Sequence, residues 1–393
     1  MATASPLLHA QPASAAAEDL ATRLLELVAI KSVSREEQSL CNYVETKLRA
    51  APGCDVVRVG DNLIATLPAL AGRPRVVLCG HLDTVPENGN LPPRREGDRI
   101  LGLGATDLKS GLAVIWRLLD ELSGLVAAGP SRAVDAIDCD PAFVFYAREE
   151  IAFRESGLIE VERAWPALRT AQFAVCVEPT SNAVELGCNG TLHAELTVLG
   201  KAAHAARPWL GSNAIHSALP LLAQVAARGE RCWSPPGLTE CVYREVMSVT
   251  GIQGGKARNV IPDRCTFNLN FRFAPDRTSE EARAEVQTLF EKAVQAGVAE
   301  LVFKDVGPSG RVPAGNRWCD RLVGLAKNAV RAKQAWTDVG RFSEWNVDAV
   351  SCGPGIPEVA HQKEEWASVA MMVDSLALFR RFVGLPAALE AAR

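Results

Sequence analysis

The sequence predicts an α/β fold: a mainly parallel sheet built from two pieces of chain, with a smaller α+β domain inserted between them. Three observations carry this. Short continuous apolar runs, "RVVLCG", "AFVFYA" and "QFAVCV", alternate with helical patterns in the first half, as in parallel sheets covered on both faces. Between about residues 190 and 306 the pattern changes to alternating strands in the order β-α-β-β-α-β, the ferredoxin-like arrangement. Helices and a short apolar run then return from about residue 317. A chain of 393 residues is also long for one core. The expected division is residues 1–189 and 307–393 for the larger domain and 190–306 for the insert.

Taken in order, residues 18–48 read as helix, interrupted near "AIKSVSREEQS", where Ser34 and Glu37 suit a capping box. "DVVRVG" and "NLIATLPAL" read as short strands before the apolar strand "RVVLCG". A polar loop leads to a helix over about 110–122. "AFVFYA" runs into Arg148-Glu149-Glu150, and "QFAVCV" into Glu178-Pro179-Thr180. In the insert, "TLHAELTVLG" alternates as a half-exposed strand does. A helix follows over 213–227, then strands at "VYREVMSVTGIQGG" and "CTFNLNFRFAP". Ser279 suits the N-cap of a second helix, and "AELVFKDV" closes the unit. Beyond it, "RLVGLAKNAV" reads as helix, "AVSCGP" as strand, and a last helix starts near residue 367.

Composition narrows the function. Hydrophobic residues make up 48% and charged residues 22%, with a net charge of −4, ordinary for a globular enzyme. The absence of a basic block argues against a nucleic-acid partner. The 11 cysteines are scattered without a C-x-x-C, so reduced thiols and a cytoplasmic setting are expected. No apolar run reaches ~18 residues, so no membrane span is expected. The first residues lack a basic segment before their weak apolar stretch and read as a ragged tail, not a signal peptide.

The chemistry sits at the strand ends. In "VVLCGHLDTVPENG" an apolar strand runs into His81 and Asp83, and residues two apart on a strand share a face. In open parallel sheets, sites form outside the carboxyl ends of the strands. His81 and Asp83, Asp107, Glu149 and Glu150, and Glu178 are therefore expected to converge, with His361 joining from "GPGIPEVAHQKEE". Taken singly each has an ordinary explanation: a satisfied polar strand end, a solvated Glu-Glu pair, a turn at Glu178-Pro179, an acid at a helix start. Together they form a carboxylate cluster that needs compensating cations. Two histidines among carboxylates, with no thiolate, suit zinc or a similar borderline divalent ion. A dinucleotide fingerprint at "GLGATD" lacks its third glycine, and a serine hydrolase would need a G-x-S-x-G motif.

The stretches "GHLDTVP", "GLGATDLKSGLA", "REE", "EPT", "GKAAHAARPWLGSNAIH", "GGKARNVIPD" and "AHQKEE" occur in an order that resembles the dinuclear zinc aminoacylase/carboxypeptidase family. The resemblance runs from about residue 20 to the end. Within that family, "NVIPDRCTFNLNFRFAPDR" and "WTDVGRFSEW" are most similar to the desuccinylase branch, which acts on succinylated amino diacids. Deacetylation of acetylornithine-like substrates and peptide cleavage are the alternatives.

The resemblance implies two zinc ions per subunit, replaceable by cobalt or manganese. His81 and Glu178 would hold one ion, Glu150 and His361 the other, with Asp107 bridging. Asp83 would fix the ring of His81, Glu149 would be the general base, and a cis peptide would follow Asp107. The insert would serve as lid and dimerisation domain of a homodimer. His204 would reach the neighbouring subunit's active site, and Asn259 and Arg272 would contact substrate. Read from its residues, His204 could equally cap the helix that follows. Arg341 in "VGRF" is a further candidate anion contact, His193 is expected to face solvent, and His216 to be structural. Two positions depart from the branch: "LGCNGT" lacks a basic residue before the glycine, and Arg207 stands where a tyrosine is usual. Recognition of the substrate carboxylates is therefore expected to be rearranged.

Overall fold

A computed structural model describes residues 14–90, 92–129, 131–327 and 330–385. The first 13 residues, where most of the expected ragged tail falls, lie outside the described residues. The chain forms an eight-stranded mixed sheet, a five-stranded sheet and a small three-stranded sheet.

The centre of the large sheet is parallel. Arg75–His81 lies between Asp140–Tyr146 and Phe173–Cys176, and Ala349–Ser351 continues the parallel set. The strands Asp140–Tyr146 and Phe173–Cys176 are buried along their whole length. Successive side chains point to opposite faces, so Val76 and Leu78 enter one apolar cluster while Val77 and Cys79 enter another. Helices Ala15–Ala29, Ser110–Ala127 and Val369–Phe382 supply the first cluster. The packing is close where the helix Ser110–Ala127 meets the strand ends: a Cβ on Gly111 would lie 2.5 Å from the Val177 carbonyl oxygen. The antiparallel pair Asp55–Val59 and Asn62–Thr66 extends one edge. Val184–Leu186 and Val330–Ala332 extend the other.

The insert builds the five-stranded antiparallel sheet, in the order Arg231–Trp233, Tyr243–Gly254, Arg264–Phe273, Gly190–Leu199, Ala299–Gly307. Its last four members have the strand order of the expected ferredoxin-like unit. Arg231–Trp233 is an additional edge strand. Helices Ala214–Ala227 and Ser279–Gln295 cover one face, where Phe267 meets Phe290 at 6.0 Å between ring centroids. Asn213 caps the first helix. Thr278, one residue before the expected Ser279, caps the second through a capping box with Glu281.

The stretch read as a polar loop carries the strands Arg94–Glu96 and Arg99–Leu101, which form the three-stranded sheet with Trp366–Ser368 where the last helix was expected to begin. Two further readings change. Ser34 and Glu37 do not form a capping box: the helix Gln38–Arg49 has no side-chain cap, and both residues reach across the fold. The expected helix over "RLVGLAKNAV" ends at Leu325, and Val330–Ala332 is a strand paired with Val184–Leu186. Residues 328 and 329 of that stretch lie outside the described residues. No helix among the described residues is long and apolar enough to cross a membrane.

Candidate metal centre and active site

The expected cluster forms at the carboxyl ends of the central strands. His81 ends its strand. Glu149 and Glu150 follow Asp140–Tyr146 through a turn at Arg148, whose φ is +64°. Glu178 follows Phe173–Cys176. Asp107 precedes the helix Ser110–Ala127, and its bond to Leu108 is cis. His361 sits in a loop at φ +61°.

Asp107 lies between the two histidines. One carboxylate oxygen is 3.3 Å from His81 Nε2 and the other 3.3 Å from His361 Nε2. His361 Nε2 is also 2.9 Å from Glu150 Oε1. Ligand-type atoms of His81, Asp107 and Glu178 lie within 4.8 Å of one another, as do those of Asp107, Glu150 and His361. Glu178 Oε1 is buried without a hydrogen-bond partner. An oriented carboxylate oxygen left unpaired beside an imidazole and a second carboxylate fits a divalent cation in both residue types and spacing.

The electrostatics agree with that need for positive charge. Burial pushes Glu178 up to about 7, with the Asp107 carboxylate adding to the effect. Burial also raises Glu149 well above the ordinary carboxylate range, His81 pulling the other way. The Asp107 and Glu150 carboxylates hold His361 up at about 11. Burial alone would push Asp107 up, but hydrogen bonds from His361 and His81 hold it below its ordinary value.

Buried side chains fix this arrangement. Asp83 Oδ1 accepts the Glu149 N–H at 2.9 Å, and Oδ2 accepts the Glu150 N–H at 3.0 Å and the Ser34 hydroxyl at 2.8 Å. Asp83 was expected to hold the His81 ring. That ring's Nδ1 is 2.9 Å from the Asp83 backbone oxygen and 3.6 Å from its carboxylate, so the main chain is the nearer partner. Glu37 Oε1 accepts the Arg148 N–H at 3.1 Å. Glu365, absent from the expected set, accepts the N–H groups of Gly104, Thr106 and Asp107 at 3.1, 2.9 and 3.0 Å. It follows four exposed residues and precedes the strand Trp366–Ser368.

A cleft of about 570 Å³ is lined by Glu149, Glu150 and His361 together with His193 and Arg272 of the insert. His193 therefore faces the cleft half-buried, a correction to the solvent-facing expectation; alternation shows that it shares a face with Thr191, not what covers that face. His216 is exposed. His204 is exposed too, its Nδ1 accepting the Ala206 N–H, and Asn213 takes the capping role considered for it. Asn259 is beside it, with its carbonyl accepting the Ala205 N–H at 2.9 Å. Neither lines the cleft of its own chain. Arg341 is 2% exposed. Its Nε donates to Asp338 Oδ1 at 2.8 Å, and its Nη2 donates to the Phe153 carbonyl. The expectation that Arg341 meets a substrate anion is revised, because its guanidinium is committed to the protein interior.

Residues 186–298 match the M20 peptidase dimerisation domain. The chain is 39% identical over 360 residues to a putative succinyl-diaminopimelate desuccinylase of Mycobacterium tuberculosis, covering 91% of this chain and 96% of that protein. It is 36% identical over 362 residues to the succinyl-diaminopimelate desuccinylase of Corynebacterium glutamicum, covering 91% and 94%. Among solved structures, it resembles an M20 family metallo-carboxypeptidase of Sulfolobus solfataricus with a TM-score of 0.73, 16% identity and coverage of 93% and 99%. It also resembles a dinuclear metal-binding M20 peptidase of Bacillus subtilis with a TM-score of 0.67, 18% identity and coverage of 94% and 98%. With relatives above one-third identity along almost its whole length, the chain belongs to the M20 family of metal-dependent amide hydrolases.

Proposed function

We propose that the chain hydrolyses N-succinyl-LL-2,6-diaminopimelate to succinate and LL-2,6-diaminopimelate, using two zinc ions. The observation that carries the metal assignment is Asp107, whose two oxygens face different histidines at 3.3 Å each. His81 and Glu178 would hold one ion, Glu150 and His361 the second, and Asp107 both. Two divalent ions would balance the charges of Asp107, Glu150, Glu178 and an ionised Glu149. When bound, such ions acidify a water and polarise the amide carbonyl.

Glu149 is assigned the proton transfers. It takes a proton from the attacking water as the water oxygen bonds to the amide carbon. It then delivers that proton to the nitrogen as the C–N bond breaks. Burial in a site crowded with other carboxylates suits it to hold a proton between these steps.

The succinyl and diaminopimelate assignments rest on the two relatives at 39% and 36% identity. The match to a dimerisation domain supports a homodimer. For such a dimer we assign His204 and Asn259, joined through the Ala205–Asn259 backbone hydrogen bond, to the neighbouring chain's cleft. Lysine or diaminopimelate biosynthesis would be the setting.

A competition assay on zinc-loaded protein tests this reading. N-succinyl-LL-diaminopimelate, N-acetylornithine and an N-acyl-lysine are compared by kcat/KM. The succinylated diamino acid is expected to lead; preference for either rival would overturn the substrate assignment.

A further inference from the structure

The part of the cleft lining that the insert supplies carries charges of both signs. His193 is central in the sheet of the insert, with Asn270 opposite it on one neighbouring strand and Asp305 on the other. Arg272 lies two residues beyond Asn270, on the same face. Arg272, His193 and Asp305 all line the cleft. None of the ion pairs among the described residues involves any of the three. Arg272 Nε donates to Asn270 Oδ1 at 3.1 Å, and among the described residues the rest of its guanidinium fork meets no acceptor. Asp305 Oδ2 accepts the Phe153 N–H at 3.2 Å, and its other oxygen has no such partner among the described residues.

Charges of both signs thus share one cleft wall without pairing. Arg272 and Asp305 lie on strands two interstrand spacings apart and are offset by two residues along them, roughly 12 Å between backbones, with His193 on the strand between them. Desolvating a cation and an anion without joining them is unfavourable unless a ligand completes each. The Arg272–Asn270 bond also orients the Asn270 amide, turning Nδ2 towards His193 Nε2 at 3.5 Å. His193 Nε2 then accepts, and Nδ1 carries the proton as a donor. Burial, reinforced by the Arg272 charge, lowers the imidazole from its ordinary value, so the ring offers this single donor near neutral pH.

We propose that Asp305, His193 and Arg272 form a receptor for a zwitterionic α-amino-acid end on the amine half of the substrate. Asp305 takes the ammonium group, and His193 together with Arg272 takes the carboxylate. The assignment deepens the desuccinylase reading and rests on it: the amine released must carry a second α-amino acid at its far end. It also gives the chain a carboxylate donor, His193, where "LGCNGT" and Arg207 depart from the pattern of the branch. An amine ending in ammonium alone would satisfy Asp305 and leave Arg272 and His193 unanswered.

Three succinyl amides separate the roles: N-succinyl-LL-2,6-diaminopimelate, Nα-succinyl-L-lysine without the far carboxylate, and N-succinyl-L-2-aminopimelate without the far ammonium. Wild type, Asp305→Asn and His193→Ala are compared by kcat/KM. Asparagine can still accept the Phe153 N–H, so the loop anchor is retained. Asp305→Asn is expected to lose about tenfold or more on the two amides bearing the ammonium, and less than about threefold on the aminopimelate amide. His193→Ala should lose about tenfold on the two amides bearing the far carboxylate, and less than about threefold on succinyl-lysine. Equal losses on all three amides, or no loss on any, would overturn the receptor. Wild type acting on N-acetyl-diaminopimelate in preference to the succinyl compound would instead overturn the acyl assignment, while the pattern across amines still decides the receptor.

Discussion

The Asp83 carboxylate accepts the Glu149 N–H at 2.9 Å and the Glu150 N–H at 3.0 Å, so one buried acid holds both glutamates of the Arg-Glu-Glu turn. Hydrogen bonds to a charged group are worth about 1.5–3 kcal/mol each. Asp83→Ala is therefore expected to lower kcat by roughly 10²-fold or more through displacement of Glu149 and Glu150. Steady-state kinetics with parallel metal analysis checks this. A variant with normal kcat would show that the anchor is dispensable.

Glu149→Ala should lower kcat by about 10²–10⁴-fold, the range for loss of a general base. Metal content should remain that of the wild type, because Glu149 is assigned no ion. Retained hydrolysis at normal metal content would remove Glu149 from the proton transfers.

Glu365→Ala should weaken metal binding by about 10–100-fold, as expected for loss of a group that orients a ligand. Its carboxylate is the acceptor for the N–H groups of Gly104, Thr106 and Asp107. Competition with a chelator measures the change, and unaltered affinity would show that Asp107 is held by other means.

Arg341→Ala is expected to destabilise the fold by about 3–5 kcal/mol, because it strands the buried Asp338 carboxylate without its partner. Chemical denaturation reads this directly. A substrate contact would instead raise KM and leave stability alone.

Gly111→Ala should cost about 1–3 kcal/mol of stability, since the added carbon would press on the Val177 carbonyl immediately before Glu178. A lowered Tm accompanied by weaker metal binding is the expected pair of results. An unchanged Tm would show that the helix can shift without cost.

The central strands and the site at their ends were legible because fully buried parallel strands are written as unbroken apolar runs, and their acidic or imidazole ends interrupt those runs abruptly. What local pattern could not reveal was decided by tertiary partners. Ser34 and Glu37 have the spacing of a helix cap, yet Asp83 and Arg148 claim them from elsewhere in the fold. Glu365 follows Glu364 directly in the sequence; the former is buried at 1% exposure and the latter lies on the surface, a difference set by the strand Trp366–Ser368. Alternation placed His193 on one face of its strand but carried no information about the cleft over that face. Arg341 sits in a motif that suggests an anion contact, and only the surrounding Asp338 and Phe153 show where its hydrogen bonds go.

The most direct measurement is a titration of metal-free protein with zinc, following binding and hydrolysis of the succinyl amide together. Asp107 bridging two positions predicts two equivalents bound per chain, with activity still rising as the second is filled. Full activity at one equivalent, with no further rise and no second binding event, would contradict it.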